Sequence, residues 1–160
     1  MSILDREWLA VAGASKSAIE QLRKAVPRQL PTSYLALLRT TNGGEGPLAR
    51  QPYYLRLDPA EVVAEAAASK QHEEFFPGFV VIGSNGGGEF IALDVRAPGP
   101  LAVVAIDMTN IDLEESILPI APDFDAFIDL IGIDALTDCP TRVRLGPQPM
   151  FAASTPRRSD

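Results

Sequence analysis

The chain has 160 residues, of which 46% are hydrophobic and 22% charged, and its formal net charge at pH 7 is −7. This composition excludes collagen-like, long disordered and disulfide-scaffold proteins, and a chain of this size buries enough surface in one core to fold without metal ions or crosslinks. The acidic balance disfavours nucleic acid and anionic lipid as partners, so any charged partner should be basic.

Two helices are predicted at the start of the chain. Ser17 and Glu20 have the spacing of a capping box, and the apolar residues that follow recur at helical spacing until Pro27. A second helix should begin at about Pro31, because the fixed φ of proline suits the first turn. The Asn42-Gly43-Gly44 turn should end that helix in a left-handed conformation.

A strand and a third helix follow. Tyr53 to Leu57 has the composition of a strand. Asp58 stands directly before Pro59, which predicts an N-cap followed by a first-turn proline. We expect the helix that begins there to run through an alanine-rich stretch toward His72.

The second half of the chain predicts a meander and a last helix. The predicted strands are 79–82, 89–94 and 101–106. Because the turns between them are only a few residues long and a parallel crossover needs about a dozen, these strands should pair antiparallel. Pro122-Asp123 should cap a helix that Gly132 ends.

This order of elements predicts an α+β fold, a single domain with a small, mainly antiparallel sheet flanked by helices. We expect an N-terminal lead segment over residues 1–14, the α+β domain over 15–137 and a proline-rich C-terminal tail over 138–160. The residues expected to anchor the lead segment on the domain are Trp8, Leu4 and Leu9.

Membrane and secretion signals are not predicted. No apolar run approaches the ~20 residues of a membrane-spanning helix, and the longest candidates, such as 101–106, have the length of a strand. Asp5 and Glu7 stand where a signal peptide needs positive charge. The single Cys139 cannot form an intramolecular disulfide, which fits a reducing compartment. We therefore expect a cytoplasmic protein.

Four blocks of sequence follow one another in a characteristic order. They are Leu30 to Leu38 with the Asn42-Gly43-Gly44 turn, Val81 to Asp94, Val103 to Asp107, and Ala121 to Ile128. In this order they resemble the SUKH superfamily, which includes fungal cell-wall-assembly regulators of SMI/KNR type and many bacterial immunity proteins. The resemblance implies an α+β domain that binds other proteins and has no established catalytic residues. For many bacterial members it implies neutralisation of a co-encoded toxin, often a nuclease.

Negative charge is concentrated late in the chain. No lysine or arginine lies between Arg96 and Arg142. Such a stretch would repel nucleic acid and speed encounter with a basic protein surface, unless its carboxylates only face solvent or serve helix starts. The nine acidic residues in it are Asp107, Asp112, Glu114, Glu115, Asp123, Asp125, Asp129, Asp134 and Asp138.

We interpret the chain as a non-enzymatic protein-binding domain, an immunity protein that neutralises a basic, co-encoded toxin through an acidic surface. The alternative is an intracellular scaffold or regulatory module of the cell-wall-regulator type, which would bind its partner through apolar loops. A third, less favoured interpretation is a hydrolase with paired carboxylates, one of which has a raised pKa. The predicted partner-binding residues are Asp107, Asp112, Glu114, Glu115 and Glu89.

No cofactor, metal or catalytic residue is predicted. The carboxylates of 107–115 lack the spacing of a calcium loop, and the loop 84–89 lacks the Lys-Ser/Thr ending of a phosphate-binding loop, so it should only join two strands. His72 is the only histidine and is expected to be solvated or near a helix end. Cys139 follows Asp138, whose charge disfavours a reactive thiolate.

Overall fold

The structure is a computed structural model, and it describes residues 3–26, 28–72, 74, 76–109 and 112–134. Six strands form one open antiparallel sheet in the order in which they occur along the chain. They are β1 (Gly44–Pro47), β2 (Tyr54–Leu57), β3 (Phe79–Ser84), β4 (Glu89–Asp94), β5 (Ala102–Asp107) and β6 (Ile117–Ala121). The helices are α1 (Lys16–Ala25), α2 (Thr32–Thr40), α3 (Ala60–Ala68), α4 (Leu113–Ser116) and α5 (Phe124–Ile128), and a short 3-10 helix covers Ile3–Asp5. The predicted α+β fold with an antiparallel sheet is confirmed.

The sheet has two edge strands that the sequence does not predict. β1 has the sequence Gly-Glu-Gly-Pro, which has the composition of a turn, and becomes a strand by pairing with β2. β6 contains Pro119, which an edge strand tolerates because one side of its backbone needs no partner. The predicted proline-rich tail over 138–160, including Cys139, lies outside the described residues.

The caps of the first and last helices differ in how well the sequence predicts them. Ser15 caps α1, since its hydroxyl accepts a hydrogen bond from the N–H of Ala18 at 3.1 Å. The predicted capping box is therefore wrong: Ser17 lies inside the helix, and the carboxylate of Glu20 binds Arg23 at 3.2 Å. In α5, the predicted cap Asp123 is confirmed, although the helix ends before Gly132.

The N-cap prediction for α3 is also wrong. Pro59 occupies the cap position, and the side chain of Asp58 makes no capping hydrogen bond. The side chain of Asn42 performs this function from the turn after α2: its Oδ1 accepts from the N–H of Ala60 at 2.7 Å, and its Nδ2 donates to Glu61 at 2.8 Å. Asn42 thus joins α2, β1 and α3, and the carboxylate of Asp58 is left without a capping function.

The two faces of the sheet are covered differently. Alternate residues of β4 and β5, such as Ile91 and Ala105, face the main core, which α1, α2, α3 and α5 cover. The opposite face carries a smaller cluster under the segment that precedes β3 and under α4. Its buried members are Phe76, Phe79, Val81, Ala92, Val104 and Ile106, with Phe90, Leu113 and Ile117 packed against them.

The lead segment is attached to the domain along its length. Arg6 donates from one guanidinium nitrogen to the carbonyl oxygens of Ile128 at 2.5 Å and Ile131 at 3.0 Å. Trp8 packs against the main core, as predicted. The prediction is wrong for the two leucines beside it, because Leu4 is 58% and Leu9 70% exposed. We call residues 3–14 the N-terminal strap.

Candidate functional site

Glu89 and Asp107 lie directly opposite each other at one end of the sheet, where β4 begins and β5 ends. Cross-strand neighbours have Cβ atoms about 5 Å apart, and like charges in this position destabilise a sheet. Asp107 accepts hydrogen bonds from the N–H and hydroxyl of Thr109 at 2.9 and 2.8 Å, and Glu89 accepts one from Asn85 at 3.1 Å. We call these two carboxylates the strand-end pair.

The hydrogen bonds from Thr109 keep Asp107 ionised. The backbone N–H of Thr109 is the first cause and its hydroxyl the second, and together they hold the pKa of Asp107 below its usual value. Asp107 is exposed, so this charge is available at the surface. The strand-end pair therefore presents a negative potential that the fold does not neutralise.

Three more of the predicted residues lie on α4, and we call them the α4 acidic cluster. Asp112 is the N-cap, whose Oδ1 accepts from the N–H of Glu114 at 3.1 Å. Glu114 accepts a hydrogen bond from Arg96 at 2.7 Å, whereas Glu115 is exposed and forms no ion pair among the described residues. The three carboxylates thus have different roles, and in the described part of the chain only Glu114 is bound by a cation.

Arg96 fixes the position of α4 relative to the sheet. Its guanidinium contacts Asp94 through two hydrogen bonds of 3.0 Å and lies 4.7 Å from the ring centre of Phe79. Partial burial tends to raise the pKa of Asp94, but the hydrogen bonds and charge of Arg96 lower it overall. Because the same guanidinium binds Glu114, this acid is part of a structural ion-pair network.

The five predicted residues form two groups rather than one. The alternation of β5 places Asp107 on the same side as Ala105, which faces the main core. α4 packs on the opposite face, through Leu113 and the neighbouring Ile117. The strand-end pair and the α4 acidic cluster are therefore separated by the sheet.

Three further carboxylates of this stretch, Asp123, Asp125 and Asp129, form no ion pair among the described residues. Asp125 on α5 and Asp129, the C-cap residue after it, are exposed. Asp123 accepts from the N–H of Ala126 at 2.8 Å, which is the helix-start role that the sequence allows. Within 107–109 and 112–129, Glu114 is the one carboxylate in an ion pair. Asp138 lies outside the described residues.

The glycine-rich loop between β3 and β4 is a strand-joining turn, as predicted. Asn85 organises it, because its Oδ1 accepts from the N–H groups of Gly87 at 2.8 Å and Glu89 at 3.1 Å. The hydroxyl of Ser84 accepts from the N–H of Gly86 at 3.2 Å. These backbone donors are thus used within the loop.

His72 lies in the turn that follows α3, near a helix end as one of the two alternatives predicts, and its partly buried ring packs in an aromatic cluster. Its ring centre is 6.1 Å from that of Phe76 and 5.0 Å from that of Phe90. Burial lowers the pKa of His72, because the charged imidazolium loses hydration there.

We expect His72 to make stability depend on pH. Its pKa is lower in the folded than in the unfolded state, so the unfolded state takes up a proton first as the pH falls below about 6.5. The free energy of unfolding should therefore decrease between pH 7.5 and 5.5, and less so in His72→Phe. Urea unfolding at several pH values measures this, and parallel curves for both proteins would contradict it.

An open cleft of about 600 Å³ is a feature that the sequence analysis missed. Its lining includes Leu9 and Val11 of the strap, and Glu45, Arg56 and Asp58 at the ends of β1 and β2. The residue that draws attention to this cleft is Asp58. Its carboxylate is half-buried, and the helix-capping function predicted for it is performed by Asn42.

Comparison with known proteins identifies the family to which the chain belongs. The sequence profile of the SMI1/KNR4 family (SUKH-1) matches residues 13–130, a range that includes all six strands and helices α1 to α5. A search of curated proteins gave no match. In the part of the chain that the structure describes, no helix has the length and apolarity to cross a membrane, and no three metal-ligating side chains are grouped together.

Proposed function

Because the chain belongs to the SMI1/KNR4 family (SUKH-1), whose members bind protein partners, we propose that it is a non-enzymatic immunity protein. Its proposed partner is a basic, co-encoded toxin such as a nuclease. The proposed contact residues are the strand-end pair, Glu89 and Asp107, and the α4 acidic cluster, Asp112, Glu114 and Glu115. They form two acidic patches on either side of the sheet, and we call both together the acidic surface. We place this action in the cytoplasm, since a single cysteine fits a reducing compartment.

One observation supports this proposal more than any other. Within 107–109 and 112–129, exposed carboxylates such as Asp107, Asp112 and Glu115 have no cation among the described residues, and Glu114 is the one carboxylate in an ion pair. Asp107 and Asp112 also accept local hydrogen bonds, but those bonds leave the negative charges of both carboxylates in place. Unpaired carboxylates steer a basic protein by their field, and most of this effect is on the association rate.

Glu114 has an indirect part in the proposed surface. Its carboxylate is already bound by Arg96, so a cation of the partner would have to replace that guanidinium. Asp112 and Glu115 need no such exchange. We therefore expect them to account for more of the binding than Glu114 does.

The scaffold alternative is favoured by a different observation. Leu9, Val11 and Tyr53 are large apolar or aromatic side chains that are 70%, 50% and 57% exposed. A partner bound mainly through these side chains would show an affinity that salt hardly changes.

The hydrolase alternative is supported only by Asp58 and Glu45, which line one cleft. A hydrolytic screen of the wild type and Asp58→Asn tests it, and we expect no turnover from either protein.

Neutralising three exposed acids should weaken the complex with the toxin encoded by the neighbouring gene. The triple variant Asp107→Asn, Asp112→Asn and Glu115→Gln keeps the local hydrogen-bond acceptors but removes three charges. We expect its affinity at low salt to fall roughly tenfold or more, mainly through slower association. Surface plasmon resonance against an inactivated toxin measures this.

The matched control has the same net charge at other exposed positions. It is Asp5→Asn, Glu65→Gln and Glu74→Gln, three acids that are exposed and outside the proposed surface. Its affinity should stay within about twofold of the wild type, since long-range charge is screened over ~8 to 10 Å. Equal losses in both triples, or failure of the wild type to protect co-expressing cells, would contradict the proposal.

A further inference from the structure

Asp58 is a half-buried carboxylate that has no hydrogen-bond or ion-pair partner among the described residues. Asn42 caps the helix that Asp58 precedes, so the capping role does not explain why an acid is present. Local sequence rules that fail in this way are expected at functional or strained positions.

The environment of Asp58 disfavours its charge. Burial is the main cause and raises the pKa of Asp58, and the charge of Arg56 opposes this only in part. A carboxylate that loses hydration without gaining a hydrogen bond destabilises the fold. A cation brought by another molecule would supply the missing interaction.

The cleft beside Asp58 has the shape and lining for such a cation. It measures about 600 Å³, and Glu45 supplies a second carboxylate. Arg56 is the one cation among the described lining residues, and its guanidinium is 3.8 Å from Glu45, which also accepts a hydrogen bond from Tyr54. Leu9 and Val11 form an apolar, exposed wall on the strap side.

We propose that this cleft binds an arginine or lysine side chain of a partner protein, with Asp58 as the anchoring carboxylate. The strap leucine and valine would contact the methylene stem of that side chain. The carboxylates of Glu45 and Asp58 and the guanidinium of Arg56 give the cleft a net charge of one negative unit, which one monovalent cation neutralises. The inference rests on the proposed function only in that the cation belongs to a bound protein.

The test uses small probes, so it does not depend on the toxin. Nα-acetyl-arginine methylamide and its lysine analogue are titrated into the full 15N-labelled chain, with the uncharged citrulline analogue as the matched control. We expect saturable shifts of the amides of Leu9, Val11 and Asp58 with at least one cationic probe, and none with citrulline. Equal shifts with citrulline, or no saturable shift with either cation, would overturn the inference.

Two variants identify the anchoring residue. Asp58→Asn should weaken binding of the cationic probe roughly tenfold, as loss of a hydrogen bond to a charged group does. Glu65→Gln removes an exposed acid on α3 and should leave it unchanged. If Asp58→Asn does not fold, the test uses Leu9→Ser instead. Leu9 is 70% exposed, so this substitution should leave the fold intact, and the variant should bind the cationic probe more weakly than the wild type does. Unchanged binding in the variant that folds contradicts the inference, whatever the triple variant does to toxin binding.

Discussion

Gly46→Ala is expected to detach the N-terminal strap from β1. A Cβ atom at this position would lie 2.3 Å from the carbonyl oxygen of Glu7 and 2.8 Å from the ring of Trp8. Backbone cannot move aside as the end of a flexible side chain can, so the strap has to shift. We expect a loss of about 1–3 kcal/mol in the free energy of unfolding, the usual range for overpacking.

Trp8 is the only tryptophan and reports on this change directly. Its emission maximum should move to longer wavelength in Gly46→Ala as the indole becomes exposed, and the urea midpoint should fall. Gly88→Ala is the matched control, because a Cβ at Gly88 has nothing within 4 Å. An unchanged midpoint and emission maximum in Gly46→Ala would show that the strap is not held in this way.

Tyr34→Phe is expected to stabilise the protein. Tyr34 is fully buried, and its hydroxyl has no hydrogen-bond partner among the described residues. Burial, and secondarily the charge of Asp58, raise the pKa of Tyr34 far above its usual value, so the hydroxyl stays neutral. Removing an unsatisfied buried hydroxyl should add about 1–2 kcal/mol to the free energy of unfolding. The ring contact with Phe124, 5.1 Å between centres, is retained.

The control for Tyr34→Phe is the same substitution at Tyr54. The hydroxyl of Tyr54 donates to the carboxylate of Glu45, so Tyr54→Phe should gain nothing. Urea unfolding of the two variants under identical conditions measures the contrast. A loss of stability in Tyr34→Phe would mean that its hydroxyl is bound after all.

The parts of the fold that follow local rules could be predicted from sequence. β4 was predicted at its observed bounds, 89–94, because its residues favour strand and short turns flank it. β1 could not be predicted, since Gly-Glu-Gly-Pro becomes a strand only through β2 and the strap. The cap of α3 could not be predicted either, because its acceptor, Asn42, is 18 residues before Ala60. Asn42 caps the helix in place of Asp58, which is nearer in sequence.

The candidate site also has features that local sequence predicts and features that depend on long-range contacts. Sequence gives the acidic residues and their excess, because charge is a property of composition. It does not reveal that Glu114 meets Arg96, 18 residues away, or that the sheet separates Asp107 from α4. The cleft at Asp58 was hidden because the Asp-Pro pair is a typical helix start. Long-range contacts thus determine which charges remain available to a partner.

Salt dependence of the toxin complex tests the central claim most directly. Affinity is measured for the wild type and the triple variant Asp107→Asn, Asp112→Asn, Glu115→Gln between about 50 mM and 500 mM salt, a range in which the screening length shortens severalfold. We expect wild-type affinity to fall roughly tenfold or more over this range and the triple variant to show a clearly shallower slope. A wild-type affinity that salt does not change, or parallel slopes for the two proteins, would contradict binding through the acidic surface.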